Sequence, residues 1–228
     1  MTTTTAAPTR TKTTNWDRIA GIGAITFAAL ATSANLAIPD ALDWDAPGTD
    51  VVSWVHQHHV ALALTVTLYP IASVALMVYG AGFLNRARHT GDETTGVFAT
   101  VGVLGMMMIA ALFGVVEVAR LSLVALNGSG ADPTLFQFAW HIETAAFMLN
   151  TVAVAIALFG VAGAAVRMGL VPGWFKPVSI VGLLCGVASA MQAPVVFNGT
   201  QGWEIGLVPF VAWVLLDVIL GTRMARQP

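Results

Sequence analysis

Five ionisable side chains stand inside otherwise apolar stretches of the sequence: Glu117, Arg120, His141, Glu143 and Asp217. An ionisable group within a bilayer is costly, so by default it suggests a functional site. A carboxyl group in an apolar environment can keep its proton and act as a general acid toward an alkene, epoxide or ether. An arginine nearby can keep one of two acids ionised while the other stays protonated. We therefore interpret these five residues as candidate catalytic residues, with His141 as a proton shuttle.

Aromatic and polar side chains surround these groups at helical spacing. Phe136, Trp140, Glu143, Phe147 and Asn150 follow one another at intervals of four, three, four and three residues, which makes one stripe on a helix. Similar stripes occur in the second, fifth and last apolar segments. If the stripes converge, they enclose an aromatic cavity for a hydrophobic substrate. The expected substrate-binding residues are Tyr69, Phe136, Trp140, Phe147, Asn150, Gln192, Trp203, Phe210 and Trp213.

The composition predicts which elements carry these residues. Hydrophobic residues make up 57% of the chain, charged residues 10%, and the mean hydropathy is +0.77. Soluble domains carry about 25% charged residues. Since a transmembrane helix needs about 20 apolar residues, the 228 residues accommodate six helices and short loops. We predict an all-α, polytopic bundle of six transmembrane helices in a single domain, 16–228, after a disordered, Thr-rich cytoplasmic tail, 1–15.

Polar turns and prolines divide the chain into spans. The second span is expected to be kinked at Tyr69-Pro70, because proline interrupts the hydrogen bonding of a helix. Pairs of glycines such as Gly102 and Gly105 suit close helix packing. The predicted spans are 18–38, 58–84, 96–126, 134–166, 178–195 and 203–222.

The basic residues predict the orientation of the chain. With six spans, nine of the ten Lys and Arg residues fall on one side, which is the cytoplasmic side by the positive-inside rule. Both termini are then cytoplasmic, in a multi-pass protein of the cell membrane. Arg120 is the remaining basic residue and lies within the third span.

Other interpretations of the same residues remain open. Glu117 and Arg120 could form a structural ion pair that locks the third helix to a neighbour, and Asp217 could be hydrogen-bonded to Asn150. A zinc site from His58 or His59 with His141 and a carboxylate is a minor alternative, because no HxxxH or HExxH spacing supports it. We expect no metal and no cofactor.

Binding partners are constrained by the same composition. The net charge of −2 gives no indication of nucleic-acid binding, and we expect none. The lone Cys185 cannot form an internal disulfide. No Asp-rich DDxxD run is present to hold the metal of a diphosphate substrate. The expected partners are the bilayer and a hydrophobic small molecule or lipid.

Four short segments carry a resemblance to known proteins: Arg18–Gly23, Trp54–His59, Leu170–Trp174 and Phe210–Leu215. With these the chain resembles a group of actinobacterial integral membrane proteins that have no assigned activity. In size, span count and buried acids it is also similar to the small transmembrane terpene cyclases, which are thought to protonate their substrates with membrane-embedded acids. That likeness implies such a role for Glu117, Glu143 and Asp217.

Two functional hypotheses follow. The first is a membrane-embedded enzyme in which buried acids trigger cyclisation or isomerisation of an isoprenoid-like substrate. The second is a non-catalytic carrier, or an accessory subunit of a membrane complex, in which the ion pairs are structural.

Overall fold

The computed structural model describes residues 15–38, 42–191 and 203–226, of which the side chains of Asn15, Trp203 and Glu204 are not described. Within these ranges the chain is helical and contains no strand, which confirms the predicted fold class. Five of the helices are long and apolar enough to cross a membrane, and α5 is shorter, with 17 residues. The helices are α1 Asn15–Leu36, α2 Gly48–Arg88, α3 Glu93–Leu126, α4 Pro133–Arg167, α5 Phe175–Met191 and α6 Leu207–Ala225, the last preceded by the 3-10 turn Trp203–Gly206.

Short polar motifs start the central helices. The side chain of Asp92 caps α3 by accepting a hydrogen bond from the backbone N–H of Thr95. Asp132 caps α4 in the same way through Thr134, and Pro133 occupies the first turn, where its missing N–H has no cost. The predicted bounds of these two spans are therefore close to the observed ones.

The second helix differs from its predicted span. It begins at Gly48 instead of near His58, so Asp50 lies within the helix instead of in a loop, and the helix continues through Pro70. The added turns pack against the start of α4, where a Cβ atom on Gly48 would overlap the carbonyl group of Pro133. Tertiary packing stabilises these turns, although their sequence is too polar to be recognised as part of a span.

Glycines set the closest approach between α3 and α4. A Cβ atom on Gly160 would overlap the backbone of Gly102, and one on Gly105 would overlap the backbone of Ala157. The small-residue prediction is confirmed for this pair of helices. The two backbones pack in direct contact, as small residues allow in membrane bundles.

Within the described ranges, α1 and α6 reach less far along the bundle than α2, α3 and α4. Asn35, in the last turn of α1, meets Tyr69 near the midpoint of α2. Gly206, just before α6, lies against Thr151 near the midpoint of α4. The parts of α2, α3 and α4 beyond these contacts form what we call the three-helix end, approximately 48–68, 114–126 and 133–149.

Two hydrophobic cores correspond to these two levels. The core of the three-helix end includes Val51, Trp54, Leu123, Phe136 and Trp140. The other core, which we call the six-helix core, extends from Tyr69 and Phe113 to Leu220 and Met224. A layer of polar side chains lies between the two cores.

Basic side chains gather at the opposite end of the bundle, where α1 begins and α6 ends. Arg86 lies 3.0 Å from Asp17, and Arg167 lies 2.9 Å from Asp92. Arg223 donates a hydrogen bond of 2.8 Å to the carbonyl oxygen of Leu170. These contacts join neighbouring helices at the end where the charge pattern predicts the cytoplasm.

Candidate functional site

A buried ion pair joins α3 to α4 in the layer between the two cores. The Nε and Nη2 atoms of Arg120 both lie 2.8 Å from Oε1 of Glu143. Each residue is only 4% exposed. The sequence places both residues at one level, but the alternative that paired Glu117 with Arg120 is wrong, since Arg120 pairs with Glu143 of the next helix. A buried pair of this kind is strongly destabilising to break, because the remaining charge loses its partner.

Aromatic rings enclose the guanidinium group. Its central carbon lies 5.3 Å from the ring centroid of Tyr69 and 5.3 Å from that of Phe147. Phe113 packs against both rings, at centroid distances of 4.5 Å from Tyr69 and 6.5 Å from Phe147. The Tyr69 hydroxyl donates a hydrogen bond of 3.1 Å to Asn35. The cation is therefore held by one carboxylate, by ring faces that attract cations electrostatically, and by the nearby Tyr69 hydroxyl.

Two atoms of the pair, Nη1 of Arg120 and Oε2 of Glu143, are buried without a hydrogen-bond partner, and so is Oε1 of Glu117 on α3. Glu117 is half-buried on α3, within electrostatic range of the Tyr69 hydroxyl. Among the described residues no cation lies within ion-pair distance of Glu117. Since most buried polar atoms are hydrogen-bonded, these three atoms form an incomplete polar site.

His141 lies close to the ion pair in sequence but has a different neighbour. Its ring stacks on Trp44 with centroids 4.8 Å apart and an interplanar angle of 12°. Side chains two residues apart on a helix do not face each other, so His141 and Glu143 project to different sides of α4. The Nε2 atom of His141 is buried without a hydrogen-bond partner.

The part of the α1–α2 connection that the structure describes next to α2, 42–47, is held on the three-helix end by α4. Trp140 donates a hydrogen bond of 3.1 Å to the carbonyl oxygen of Asp43, and Gln137 donates one of 3.2 Å to that of Ala46. With the Trp44–His141 stack, these contacts fix the connection over the first turns of α4. Trp140 and Phe136 therefore belong to the core of the three-helix end and do not touch the guanidinium.

Asp217 belongs to a second, separate cluster. It is fully buried on α6, and among the described residues neither carboxyl oxygen has a hydrogen-bond partner of ordinary geometry. Tyr79 of α2 lies against it, and the Tyr79 and Trp213 rings are 6.3 Å apart. Tyr79 follows Tyr69 by ten residues, about 15 Å along α2. The Asn150–Asp217 hydrogen bond considered from the sequence is not formed.

The remaining predicted lining residues are divided between these surroundings. Asn150 is buried, its Oδ1 atom unpartnered, and Phe210 is partly buried. Gln192 and the side chain of Trp203 lie outside the described part of the chain. The predicted stripes of α4 and α6 do face inward, but their polar groups occupy two levels instead of one cavity.

The histidines that were considered as metal ligands are separated by their packing. Nδ1 of His58 lies 2.9 Å from the Trp54 carbonyl oxygen, and Nδ1 of His59 lies 2.9 Å from that of His56. His141 stacks on Trp44. Within the described ranges, no three His, Cys, Asp or Glu side chains are grouped as a metal would require. The geometry gives the zinc alternative no support.

Among the described residues, the surface of the three-helix end has cavities of two kinds. One, of about 480 Å³, is formed by the start of α2 and the α3–α4 loop, where His56 faces Asn127. The other, of about 730 Å³, is an apolar groove along the seam between α3 and α4. Gly114, Val118, Ala119, Ala139 and Ile142 are among its lining residues. We call it the seam groove.

Three site residues were missed from the sequence. Phe113 precedes Glu117 by four residues, one helical turn, so its place beside the site could have been recognised. Asn35 and Tyr79 carry no such signal, because their partners come from other helices. Comparisons with protein-family models, curated proteins and solved structures give no match to this chain.

Proposed function

We propose that the chain is a membrane-embedded enzyme that protonates a hydrophobic, isoprenoid-like substrate and thereby triggers its cyclisation or isomerisation. One observation carries the proposal: Arg120 is paired with Glu143, whereas Glu117 at the same level has no counter-ion among the residues that the structure describes. The two glutamates then have different roles. Glu143 is the carboxylate and Glu117 is the acid.

The physical reasoning begins with the cost of charge in an apolar medium. An unpaired carboxylate in such a medium is costly, so Glu117 keeps its proton and can transfer it to a substrate double bond, epoxide or ether oxygen. A cation that develops on the substrate can be stabilised by the ring faces of Tyr69, Phe113 and Phe147. Glu143 can then accept a proton from the product-forming cation. Return of that proton from Glu143 to Glu117 restores both residues, so the net reaction consumes no proton.

The wider setting agrees with this proposal. Both termini are cytoplasmic in the proposed orientation, since the basic contacts of Arg86, Arg167 and Arg223 lie at one end of the bundle. The site then lies in the leaflet opposite the cytoplasm. The proposal also draws on the resemblance in sequence to actinobacterial membrane proteins and to the small transmembrane terpene cyclases.

A second, non-catalytic function is favoured by the fact that the Arg120–Glu143 pair is enclosed. Neither surface cavity is lined by Arg120 or Glu143. In an accessory subunit or a carrier the pair would serve only to lock α3 to α4. The two functions differ in what they require of Glu117.

The deciding experiment replaces Glu117 with glutamine. Wild type and Glu117→Gln are expressed at equal level, and isoprenoid lipids from the membranes are compared by mass spectrometry. We expect the cyclised or isomerised product to fall by about 100-fold or more, because a general acid contributes that much to rate. Glu93→Gln, at an exposed position of the same helix, is the matched control and should keep full turnover. Product formation that survives in Glu117→Gln rules out the acid role.

A further inference from the structure

Each of the helices α1 and α6 carries a stripe of side chains that faces the lipid and ends in an arginine. On α1, Arg18, Ile22 and Ile25 follow one another at intervals of four and three residues, which places them on one face of the helix. The two isoleucines are 51% and 37% exposed, as expected where a helix faces lipid, and Arg18 is exposed as well. The stripe of α6 has the same kind of spacing and exposed apolar residues, and it consists of Val211, Leu215, Val218, Thr222 and Arg226.

Glycines bring the two stripes side by side. A Cβ atom on Gly21 would overlap the carbonyl oxygen of Gly221 and the backbone nitrogen of Ala225, so the backbones of α1 and α6 touch at this point. Gly21 follows Arg18 by one helical turn, and Ala225 immediately precedes Arg226. The two arginines therefore stand on touching helices at nearly the same level, each at the end of an apolar stripe.

Exposed tryptophans mark this level as the membrane interface. Trp16, two residues before Arg18, is 60% exposed, and Trp174, at the same end of the bundle, is 48% exposed. Tryptophan side chains are enriched at the level of the lipid head groups. The arginines of the two stripes then lie among the head groups, while the apolar side chains of the stripes continue into the hydrocarbon.

The two arginines are without a counter-ion in the part of the chain that the structure describes. Asp17, next to Arg18 in sequence, lies 3.0 Å from Arg86 of α2 instead. Neither Arg18 nor Arg226 forms an ion pair with a described residue. Two cations that a backbone contact holds near each other repel, and a negative group between them relieves this repulsion.

We infer that this flank of the protein binds an anionic phospholipid, with its phosphate between Arg18 and Arg226 and its acyl chains along the two stripes. Basic groups between transmembrane helices are suited to bind anionic lipid head groups. A zwitterionic lipid fits less well, because its ammonium group meets the same two cations. The inference goes beyond the proposed function and does not depend on it.

Photolabelling tests the inference. The purified protein is reconstituted in nanodiscs of phosphatidylcholine that contain a small fraction of a photoreactive lipid, either phosphatidylglycerol or phosphatidylcholine with the same acyl chains. We expect phosphatidylglycerol to label the stripes of α1 and α6 about tenfold more strongly or more, because each arginine near a membrane surface strengthens the binding of an anionic lipid about fivefold. Equal labelling by the two lipids would overturn the inference.

Two pairs of substitutions separate this site from a general attraction between charges. Arg18→Gln combined with Arg226→Gln should reduce labelling by phosphatidylglycerol about tenfold. The melting temperature should not change, because both side chains are exposed. The matched control, Arg88→Gln combined with Lys176→Gln, removes the same charge from exposed positions of α2 and α5 at the same end and should keep the preference. An equal loss in both pairs contradicts a site between α1 and α6.

Inorganic phosphate distinguishes a lipid from a free anion. An excess of inorganic phosphate should leave the labelling by phosphatidylglycerol unchanged, since this ion has no apolar part to occupy the stripes. Displacement of the lipid by inorganic phosphate would overturn the assignment to a phospholipid.

Discussion

Arg120 reaches Glu143 through a single carboxylate oxygen, with Nε and Nη2 both 2.8 Å from Oε1. The pair thus joins the two helices of the bundle that pack most closely and still keeps one donor and one acceptor unused. A purely structural pair would gain by using both oxygens, because bidentate geometry strengthens an Arg–carboxylate contact. The pair therefore joins the two helices without the full strength of a bidentate contact.

The structural role predicts a non-additive mutant cycle. Arg120→Met leaves Glu143 buried without a partner and should lower the free energy of unfolding by about 3–5 kcal/mol. The double variant Arg120→Met with Glu143→Met removes both charges and should recover most of that loss. Thermal unfolding in detergent gives the three values. Additive losses in the double variant would show that the two side chains do not act as a pair.

The glycine contact between α3 and α4 predicts opposite effects for two Gly→Ala changes. Gly160→Ala must push α4 away from the Gly102 backbone and should cost about 1–3 kcal/mol. Gly114→Ala on α3 meets open space and should stabilise by about 0.5–1 kcal/mol through reduced backbone entropy. Melting temperatures of both variants provide the comparison. If Gly160→Ala is as stable as wild type, the helices do not pack this closely.

The burial of Asp217 predicts that the fold tolerates a neutral side chain of the same shape at this position. An isolated carboxylate at a fully buried membrane position is costly, so we expect the carboxyl group beside Tyr79 and Trp213 to be neutral. Asp217→Asn should then change the free energy of unfolding by no more than about 1.5 kcal/mol, the net contribution of a single hydrogen bond. Denaturation in detergent measures this change. A loss of several kcal/mol would indicate that the negative charge itself is needed.

Asp92 predicts a stability change at acidic pH. The hydrogen bond from Arg167, followed by that from the Thr95 side chain, lowers the pKa of Asp92 from 3.8 to about 2. A group whose folded-state pKa is depressed stabilises the protein above its unfolded pKa, and this contribution is lost as the pH falls from about 4 to about 2. Melting curves of wild type and Asp92→Asn across that interval provide the test.

The Asp92→Asn variant is a suitable reference because asparagine still caps α3 but cannot pair with Arg167. The stability advantage of wild type over this variant should shrink through that interval. A constant difference between the two proteins would contradict the assignment of the ion pair.

The elements that sequence reasoning located well are those bounded by strong local signals. The apolar runs of α3 and α4 lie between capping aspartates and polar turns, so their bounds were close to 93–126 and 133–167. The start of α2 was not predictable, because turns after Gly48 are stabilised by Pro133 from far along the chain. Local periodicity carries no information about such a contact.

The depth of the candidate site was predictable from the sequence, but the pairing of its charged side chains was not. Counting residues at about 1.5 Å each placed Arg120 and Glu143 at one depth. Which glutamate binds the arginine depends on how α3 crosses α4, and Gly102 and Gly160 set that crossing. The separation of Asp217 from the pair depends likewise on where α6 begins beside Thr151. The rise per residue predicts the depth of a side chain in the membrane, whereas its neighbours depend on how the helices pack.

The unequal heights of the helices have a consequence for the surrounding lipid. The 22 residues of α1 span about 33 Å, close to the hydrocarbon thickness of a bilayer, whereas the 41 residues of α2 span about 60 Å. Apolar side chains remain exposed toward the three-helix end, as at Val60 and Leu121. Lipids beside α2 and α3 therefore meet a taller hydrophobic wall than lipids beside α1. Hydrophobic mismatch of this kind thickens the membrane beside α2 and α3 and leaves it near its usual thickness beside α1, which favours partition into membranes of matching thickness.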